Sequence, residues 1–179
     1  REVAIAGSLL HRNILPIRDT GDADGLPFYV MPLVTGASLR QRLSAGAMPV
    51  DQALAVATQV ADALGFAHTR QVVHRDIKPE NLLLDGEIVL VTDFGIGKAL
   101  NVAGSSSLTA TGFVVGTPAY MSPEQAASDP ELDGRSDLYS LGLVMYEMLA
   151  GALPFTGVTA QQVIASRFID VPRPLREVR

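Results

Sequence analysis

Two short segments constrain this chain more than any other feature. The first is the octapeptide at 74–81 (HRDIKPEN), and the second is the tripeptide at 93–95 (DFG), which begins twelve residues after Asn81. Together they supply two acids, a cation and an amide. Phosphoryl transfer from a magnesium nucleotide uses such groups, because a carboxylate orients the acceptor hydroxyl, a cation offsets charge on the transferred phosphate and oxygen atoms bind the metal. The two segments therefore predict a phosphoryl-transfer site.

The composition excludes several functional classes. The 179 residues are 47% hydrophobic and 18% charged, which is typical of a globular domain. The net charge is −5 and no basic run is present, so nucleic acid is not expected as a partner. The absence of cysteine excludes disulfides and thiolate metal ligands. No apolar stretch approaches the roughly 20 residues that span a bilayer, and no signal-peptide pattern is seen.

The hydrophobic pattern predicts helices and strands in one α+β domain. We predict a helix over residues 1 to about 10, and two antiparallel strands at 14–17 and 28–31 with a polar turn at 19–25 between them. A small hairpin over 82–91 should hold Asn81 at one end and Asp93 at the other. The segment 99–115 has no period, and a loop of this length is usually functional or disordered.

Four further helices are expected from periodicity and capping signals. A short helix should follow the polar segment 35–38 and end at Leu43, and a longer one should run from Pro49 to about residue 68. The stretch 137–149 is apolar almost all round, which predicts a buried central helix that ends at Gly151. Thr159 and Gln162 resemble a capping box that opens a last helix to about residue 168.

Taken together, the motifs resemble the catalytic domain of bacterial eukaryotic-type (Hanks-type) serine/threonine protein kinases. The resemblance rests on H-R-D-x-K-x-x-N, on D-F-G and on the nonapeptide at 116–124 (GTPAYMSPE), and it covers essentially the whole chain. It implies a two-lobed fold. Residues 1–33 would be the remnant of an incomplete small lobe, a helix plus two antiparallel strands, with the start of the hinge. Residues 34–179 would belong to a mainly α-helical large lobe.

The catalytic roles follow from the motif positions. Asp76 is the candidate catalytic base, and Lys78 is placed to reach the γ-phosphate of ATP. Asn81 and Asp93 would supply side-chain oxygens to Mg²⁺, a hard cation that prefers such ligands. Gly95 would let the backbone turn sharply after the metal ligand. The cofactors implied are ATP and Mg²⁺.

The resemblance also assigns residues to the nucleotide. Glu2 would stand where a helix glutamate pairs with a strand lysine. Met31 would be the gatekeeper beside the adenine, which the backbone of Pro32 and Val34 would face. Leu83 would lie under the base.

The acceptor is expected to be a serine or threonine hydroxyl on a protein substrate. In this family a lysine two residues after the catalytic Asp, here Lys78, goes with that specificity. Thr117 would be placed to hydrogen-bond Asp76 and Lys78. Self-association is a further expected partner interaction, because it would allow autophosphorylation.

The remaining assignments are regulatory or structural. Arg75 marks kinases that are regulated by phosphorylation of the activation loop, and Thr109 and Thr111 are the candidate phosphosites. Asp137 would accept hydrogen bonds from the catalytic-loop backbone near residues 74 and 75. The other residues expected to support the fold are His74, Phe94, Gly95 and Glu124, with Phe94 packed beneath the first helix.

Two other functional classes share part of this sequence pattern. A pseudokinase or scaffold usually loses at least one of the four catalytic positions, and all four are intact here. A small-molecule phosphotransferase of the aminoglycoside or choline kinase kind shares H-x-D-x-x-x-x-N, but lacks the lysine and the G-T-P-x-Y-x-x-P-E segment. Because no G-x-G-x-x-G loop and no strand lysine occur in the chain, we expect the isolated chain to have little or no activity. We interpret it as a fragment of a longer protein whose kinase domain is cytoplasmic and whose membrane anchor, if it has one, lies outside these residues.

Overall fold

The computed structural model describes residues 9–94 and 118–179 of the chain. Its elements in chain order are β1 (Asp19–Ala23), β2 (Leu26–Val30), β3 (Ala37–Ser38), α1 (Leu39–Leu43), α2 (Val50–His68), β4 (Leu82–Asp85), β5 (Ile88–Val91), α3 (Pro123–Ala126), α4 (Gly134–Ala150) and α5 (Ala160–Ile169). Short 3₁₀ turns occupy Pro79–Asn81, Pro118–Tyr120 and Leu175–Glu177. In these two ranges no helix is long and apolar enough to cross a membrane.

Helices α2 and α4 pack against each other in the core. The sequence predicts a central position for α4 but does not identify its partner. The residues that these helices contribute to the core are Val56, Ala57, Val60, Ala63 and Leu64 of α2 and Leu141, Val144 and Met148 of α4. Gly151 ends α4 in the left-handed conformation (φ 74°), which confirms the predicted stop. The prediction that this apolar helix is buried is wrong at Leu138, whose side chain is exposed to solvent.

Helices α1, α3 and α5 each begin with a capping box, in which an N-cap hydroxyl and the glutamine three residues later exchange hydrogen bonds with the backbone. The boxes of α1 and α5 confirm the predicted starts of those two helices. The box of α3, formed by Ser122 and Gln125, was not predicted. The sequence predicts Pro49 in the first turn of α2. In the structure the helix begins at Val50, and Pro49 is its N-cap.

Strands β3, β4 and β5 form an antiparallel sheet that packs on α2 through β5. The predicted hairpin is confirmed, with Leu82 opposite Val91 and Asp85 opposite Ile88. The backbone at Gly36, just before β3, lies very close to the backbone of β4. A Cβ atom added at Gly36 would lie 1.8 Å from the carbonyl oxygen of Leu84, so only glycine fits there.

The first predicted strand is misplaced. Residues 14–17 form no strand: Ile14 makes one isolated parallel bridge to Val91 and is buried there. The partner of β2 is the polar stretch Asp19–Ala23, for which the sequence pattern predicts a turn. The actual turn is only Asp24 and Gly25, which both have positive φ (55° and 80°). Such a two-residue turn matches the twist of a hairpin, so it selects the flanking residues as strands despite their polarity.

Some predictions fall wholly or largely outside the described residues. Of the helix predicted for residues 1–10, only residues 9 and 10 are described, and they are not helical. The segment 99–115 is not described, so the expectation for it remains a prediction.

Candidate active site

His74 attaches the start of the catalytic loop (residues 74–81) to the core. Its ring nitrogen Nε2 donates to the carbonyl of Thr92 at 2.7 Å, and Nδ1 accepts from the amide of Asp76 at 3.2 Å. One donating and one accepting nitrogen is the pattern of a neutral imidazole. The ring of Phe94 packs edge-on against it, with the ring centroids 4.6 Å apart. His74 is thus a packed side chain that orders the loop.

Asp137, in the first turn of α4, holds the catalytic-loop backbone. Its Oδ2 accepts from the amide of His74 at 2.8 Å, and its Oδ1 accepts from the amide of Arg75 at 2.7 Å. Both hydrogen bonds are those expected from the sequence. A third donor was not expected: Nε2 of His68 lies 2.7 Å from Oδ2. Asp137 is almost fully buried, and three donors compensate the loss of water around its charge.

Arg75 adopts a left-handed backbone conformation (φ 69°), which is unfavourable for a residue with a Cβ atom. Hydrogen bonds on both sides of the residue hold it there. Its amide donates to Asp137, and its carbonyl accepts from Nε2 of Gln125 at 2.7 Å. The side-chain Nε of Arg75 is buried and has no hydrogen-bond partner among the described residues.

Asp76, Lys78 and Asn81 form one hydrogen-bonded cluster. Nζ of Lys78 lies 2.7 Å from Oδ2 of Asp76. Nδ2 of Asn81 donates to the backbone carbonyl of Asp76 at 2.8 Å and to its Oδ2 at 3.0 Å. The side chain of Asp76 is 56% exposed, so its carboxylate is accessible to a substrate hydroxyl. The Asp76 carboxylate is therefore oriented from two sides and still open to solvent.

Asn81 and Asp93 lie together at the open end of the β4–β5 hairpin. The amide of Thr92 donates to the carbonyl of Asn81 at 2.9 Å, which places the next residue, Asp93, beside it. Asp93 has a positive φ of 63°, so its side chain leaves the direction of the strand. Tyr29 donates through its hydroxyl to Oδ1 of Asp93 at 3.2 Å. Partial burial and the adjacent Asp93 charge raise the pKa of Tyr29 above its ordinary value, so the phenol remains a donor.

The side-chain oxygens of Asn81 and Asp93 suit magnesium as ligands. Because Nδ2 of Asn81 is engaged with Asp76, the side-chain oxygen Oδ1 is left for a cation. Asp93 adds a carboxylate, and hard oxygen ligands are those that Mg²⁺ prefers. In the described ranges, no group of three or more His, Asp or Glu side chains forms a separate metal site.

Of the residues assigned to the nucleotide, four can be located. Met31, Pro32 and Val34 lie between β2 and β3 and are half-buried, whereas Leu33 among them is 91% exposed. Leu83 lies in β4 opposite Ser38 of β3. Strand β3 follows Met31, Pro32 and Val34 in the chain and therefore runs directly beside Leu83. Glu2 lies outside the described residues.

The segment that the sequence assigns to substrate binding and regulation is described only from residue 118 onward. Gly95, Thr109, Thr111 and Thr117 lie outside the described residues. Glu124, in the first turn of α3, accepts from the hydroxyl of Ser136 at 2.8 Å. This contact connects α3 to the start of α4.

A charged network that the sequence did not reveal lies beside the catalytic loop. Nε of Arg40 lies 2.7 Å from Glu80, which is in the loop, and Nη1 lies 2.7 Å from Glu147, which is in α4. The hydroxyl of Tyr120 contacts both Arg40 and Glu147. These residues lie up to 107 positions apart, so no local motif indicates the network.

Comparison with known proteins identifies the family. The model of the protein kinase domain matches residues 1–175, and the chain therefore belongs to the protein kinase family. This confirms the prediction from the motifs. The matched family is that of protein kinases, which favours them over the small-molecule phosphotransferases.

Similar proteins are bacterial serine/threonine kinases. Serine/threonine-protein kinase PknB of Mycobacterium leprae is 42% identical over 180 residues, which are 97% of this chain and 28% of that protein. PknL of Mycobacterium tuberculosis is 42% identical over 176 residues, 96% of this chain and 43% of that protein. The crystal structure of the Mycobacterium tuberculosis PknI kinase domain superposes with a TM-score of 0.73 at 31% identity. The superposition covers 98% of this chain and 60% of that one, which confirms the kinase-like fold.

Proposed function

We propose that the protein transfers the γ-phosphoryl group of ATP to serine and threonine hydroxyls of protein substrates. The observation that carries the proposal is the Asp76–Lys78–Asn81 cluster, with Asp93 beside it at the end of the same hairpin. The chain spans only 28% of the length of the PknB relative, so the activity is proposed here for the protein that contains this chain.

Asp76 would orient the acceptor hydroxyl and receive its proton at the exposed carboxylate. Asn81 fixes that carboxylate by donating to Oδ2, and Lys78 places a positive charge 2.7 Å from the same oxygen. On substrate binding, Lys78 would turn from Asp76 towards the transferred phosphate and offset its charge. Positioning and charge stabilisation of this kind account for most of the catalysis in phosphoryl transfer.

Asn81 and Asp93 would hold the metal. When bound, Mg²⁺ would neutralise charge on the phosphates of ATP. Tyr29 and the hydroxyl of Thr92, which lies 3.4 Å from Oδ2 of Asp93, would orient the metal-binding carboxylate. Both of these groups are hydroxyls, and hydrogen bonds from neutral donors fix the direction of a carboxylate without removing its charge.

The lobes are proposed as the family suggests. Residues 1–33 would belong to a small lobe and the start of the hinge, and 34–179 to the large lobe. Adenine would lie between Leu83 and the segment that contains Met31, Pro32 and Val34. The chain directly after this segment approaches β4 closely at Gly36, which supports this arrangement. Glu2 would act from the small lobe.

Regulation would act through Arg75. Its Nε has no hydrogen-bond partner among the described residues, which supports the idea that this side chain binds a phosphate group on Thr109 or Thr111. Thr117 would contact Asp76 and Lys78 from the substrate segment. Autophosphorylation between two copies of the protein would supply the modification.

The double variant Thr109→Ala, Thr111→Ala tests this assignment. It should lose most autophosphorylation, and unchanged phosphate labelling of the double variant would contradict the assignment.

Magnesium-dependent nucleotide binding tests the site itself. We would measure ATP binding to this chain by calorimetry with and without Mg²⁺, in the wild type and in Asp93→Asn. Asparagine tolerates the positive φ of this position, so the variant removes the charge with little backbone strain. The matched control is Asp85→Asn, at the exposed end of β4. The proposal predicts that Mg²⁺ tightens binding in the wild type and the control but not in Asp93→Asn. A folded wild-type chain whose ATP affinity is the same with and without Mg²⁺ would contradict the proposal.

A further inference from the structure

Gln125 has two hydrogen-bonding roles at once. Its Oε1 accepts from the amide of Ser122 at 3.0 Å, and its own amide donates to the hydroxyl of Ser122 at 3.2 Å, which completes the capping box of α3. Its Nε2 donates to the carbonyl of Arg75 at 2.7 Å. One glutamine therefore connects the start of α3 to the catalytic loop.

Two other glutamines of the chain occupy the same capping position without the second role. Gln41 caps α1 and Gln162 caps α5, each through Oε1. In the part of the chain that the structure describes, neither makes a hydrogen bond through Nε2. Capping alone thus requires only the acceptor, and the donor of Gln125 serves a different purpose.

The bond from Gln125 acts on the peptide group that precedes Asp76. This group consists of the carbonyl of Arg75 and the amide of Asp76, and it is rigid and planar. Gln125 binds its carbonyl, and Nδ1 of His74 binds its amide at 3.2 Å. The preceding amide, that of Arg75, is bound by Asp137. Because Arg75 is in a left-handed conformation, this peptide group needs such contacts to keep its orientation.

We propose that Gln125 is a positioning residue for the candidate base Asp76. It fixes the plane of the peptide group that ends at the Cα atom of Asp76. The orientation of this group helps to set the direction of the Asp76 carboxylate. The inference rests on the proposed function for the role of Asp76. The structural part, that Gln125 holds the Arg75–Asp76 peptide, stands on the contacts alone.

The test is Gln125→Glu with Gln41→Glu and Gln162→Glu as matched controls. Glutamate keeps the capping oxygen and is favourable at this position of a capping box. At Gln125 it replaces the donor with an oxygen that faces the carbonyl of Arg75. Two quantities are measured: the hydrogen-exchange rate of the Asp76 amide in this chain, and kcat and KM for phosphoryl transfer by the protein that contains it.

We expect Gln125→Glu to speed exchange at Asp76 and to lower kcat roughly 10- to 100-fold with little change in the KM for ATP, as misplacement of a catalytic group does. The two controls should leave both quantities near the wild-type values. Asp76 exchange in Gln125→Glu that equals the exchange in the controls would overturn the inference. Faster exchange with an unchanged kcat would also overturn the positioning role.

The two hypotheses fail in different ways. If the wild type transfers no phosphate but exchange at Asp76 still responds only to Gln125→Glu, the contact with the loop is supported and the proposed function is not. If Gln125→Glu does not fold, Gln125→Met removes the donor without adding a charge. It is compared with Gln41→Met, which removes an equivalent cap. Equal exchange at Asp76 in these two variants would contradict the inference.

Discussion

The hydroxyl of Tyr29 donates to Oδ1 of Asp93 across 64 positions of the chain, at 3.2 Å. Tyr29 lies in β2 of the exposed β1–β2 hairpin, and Asp93 follows the last strand of the β3–β4–β5 sheet. The contact joins the two sheets at the residue that we propose as a metal ligand. The orientation of Asp93 therefore depends on a strand that is distant in sequence from the catalytic loop.

Tyr29→Phe should weaken magnesium-dependent ATP binding. Loss of the phenol removes a hydrogen bond that orients the Asp93 carboxylate, and partners of this kind are typically worth roughly 10- to 100-fold in metal affinity. We expect an effect of roughly 10-fold, at the lower end of that range, because Thr92 still contacts the other oxygen. Titration of Mg²⁺ at fixed ATP measures it, and an unchanged or tighter metal affinity would exclude an orienting role for Tyr29.

The sequence was a good guide wherever the signal was local. Helices α2, α4 and α5 were predicted because each shows its periodicity or its caps within one segment, and the candidate residues from His74 to Asp93 fall within a single loop and hairpin. Strand β1 was missed because both of its faces are polar and its register comes from the turn at Asp24 and Gly25.

The contacts of Tyr29 and Gln125 could not have been predicted from the sequence. Each joins residues 50 or more positions apart, and each donor is a residue type that is equally common in ordinary structural positions. The sequence pattern carries no information about such pairs until the fold brings them together. The same holds for the network around Arg40.

Two glycines of α4 should respond oppositely to alanine. A Cβ atom at Gly134 would lie 2.5 Å from Nδ1 of His68, so Gly134→Ala must displace the ring that donates to Asp137. We expect a loss of roughly 1–3 kcal/mol in the free energy of unfolding. Gly142 has nothing within 4 Å of its Cβ position, and Gly142→Ala should stabilise the helix by about 1 kcal/mol. Urea unfolding of both variants measures the difference, and equal effects would refute the role of His68.

The two ion pairs of Arg40 should differ in coupling energy because their carboxylates differ in burial. Both carboxylates lie 2.7 Å from the guanidinium, but the side chain of Glu80 is 43% exposed and that of Glu147 only 11%. Double-mutant cycles with Arg40→Ala and either Glu80→Gln or Glu147→Gln should give coupling of at most about 1 kcal/mol for the exposed pair. Coupling with Glu147 should be larger, roughly 2 kcal/mol, because its partner is desolvated. Equal coupling energies would contradict this ranking.

Alkaline pH should destabilise the fold through Tyr120. Burial, followed by the hydrogen bond with Glu147, raises the pKa of this phenol above its ordinary value of 10.0. A pKa that is higher in the folded than in the unfolded chain gives stability that is present below pH 10.0 and is lost as the pH rises through the folded pKa. Above pH 10.0 the free energy of unfolding should therefore fall less steeply in Tyr120→Phe than in the wild type. Parallel slopes for the two proteins would show that Tyr120 titrates normally.

The most direct test of the central claim is phosphoryl transfer from γ-labelled ATP with Mg²⁺ by the protein that contains this chain. The measurement compares the wild type with Asp76→Asn and with the exposed control Asp85→Asn, and identifies the labelled amino acid. We predict phosphoserine and phosphothreonine in the wild type and the control, and a loss of roughly 10²- to 10⁴-fold in Asp76→Asn, the range for removal of a general base. Undiminished transfer by Asp76→Asn would contradict the assignment of the base. A folded wild type that binds ATP and transfers no phosphate would contradict the proposed activity and favour a pseudokinase.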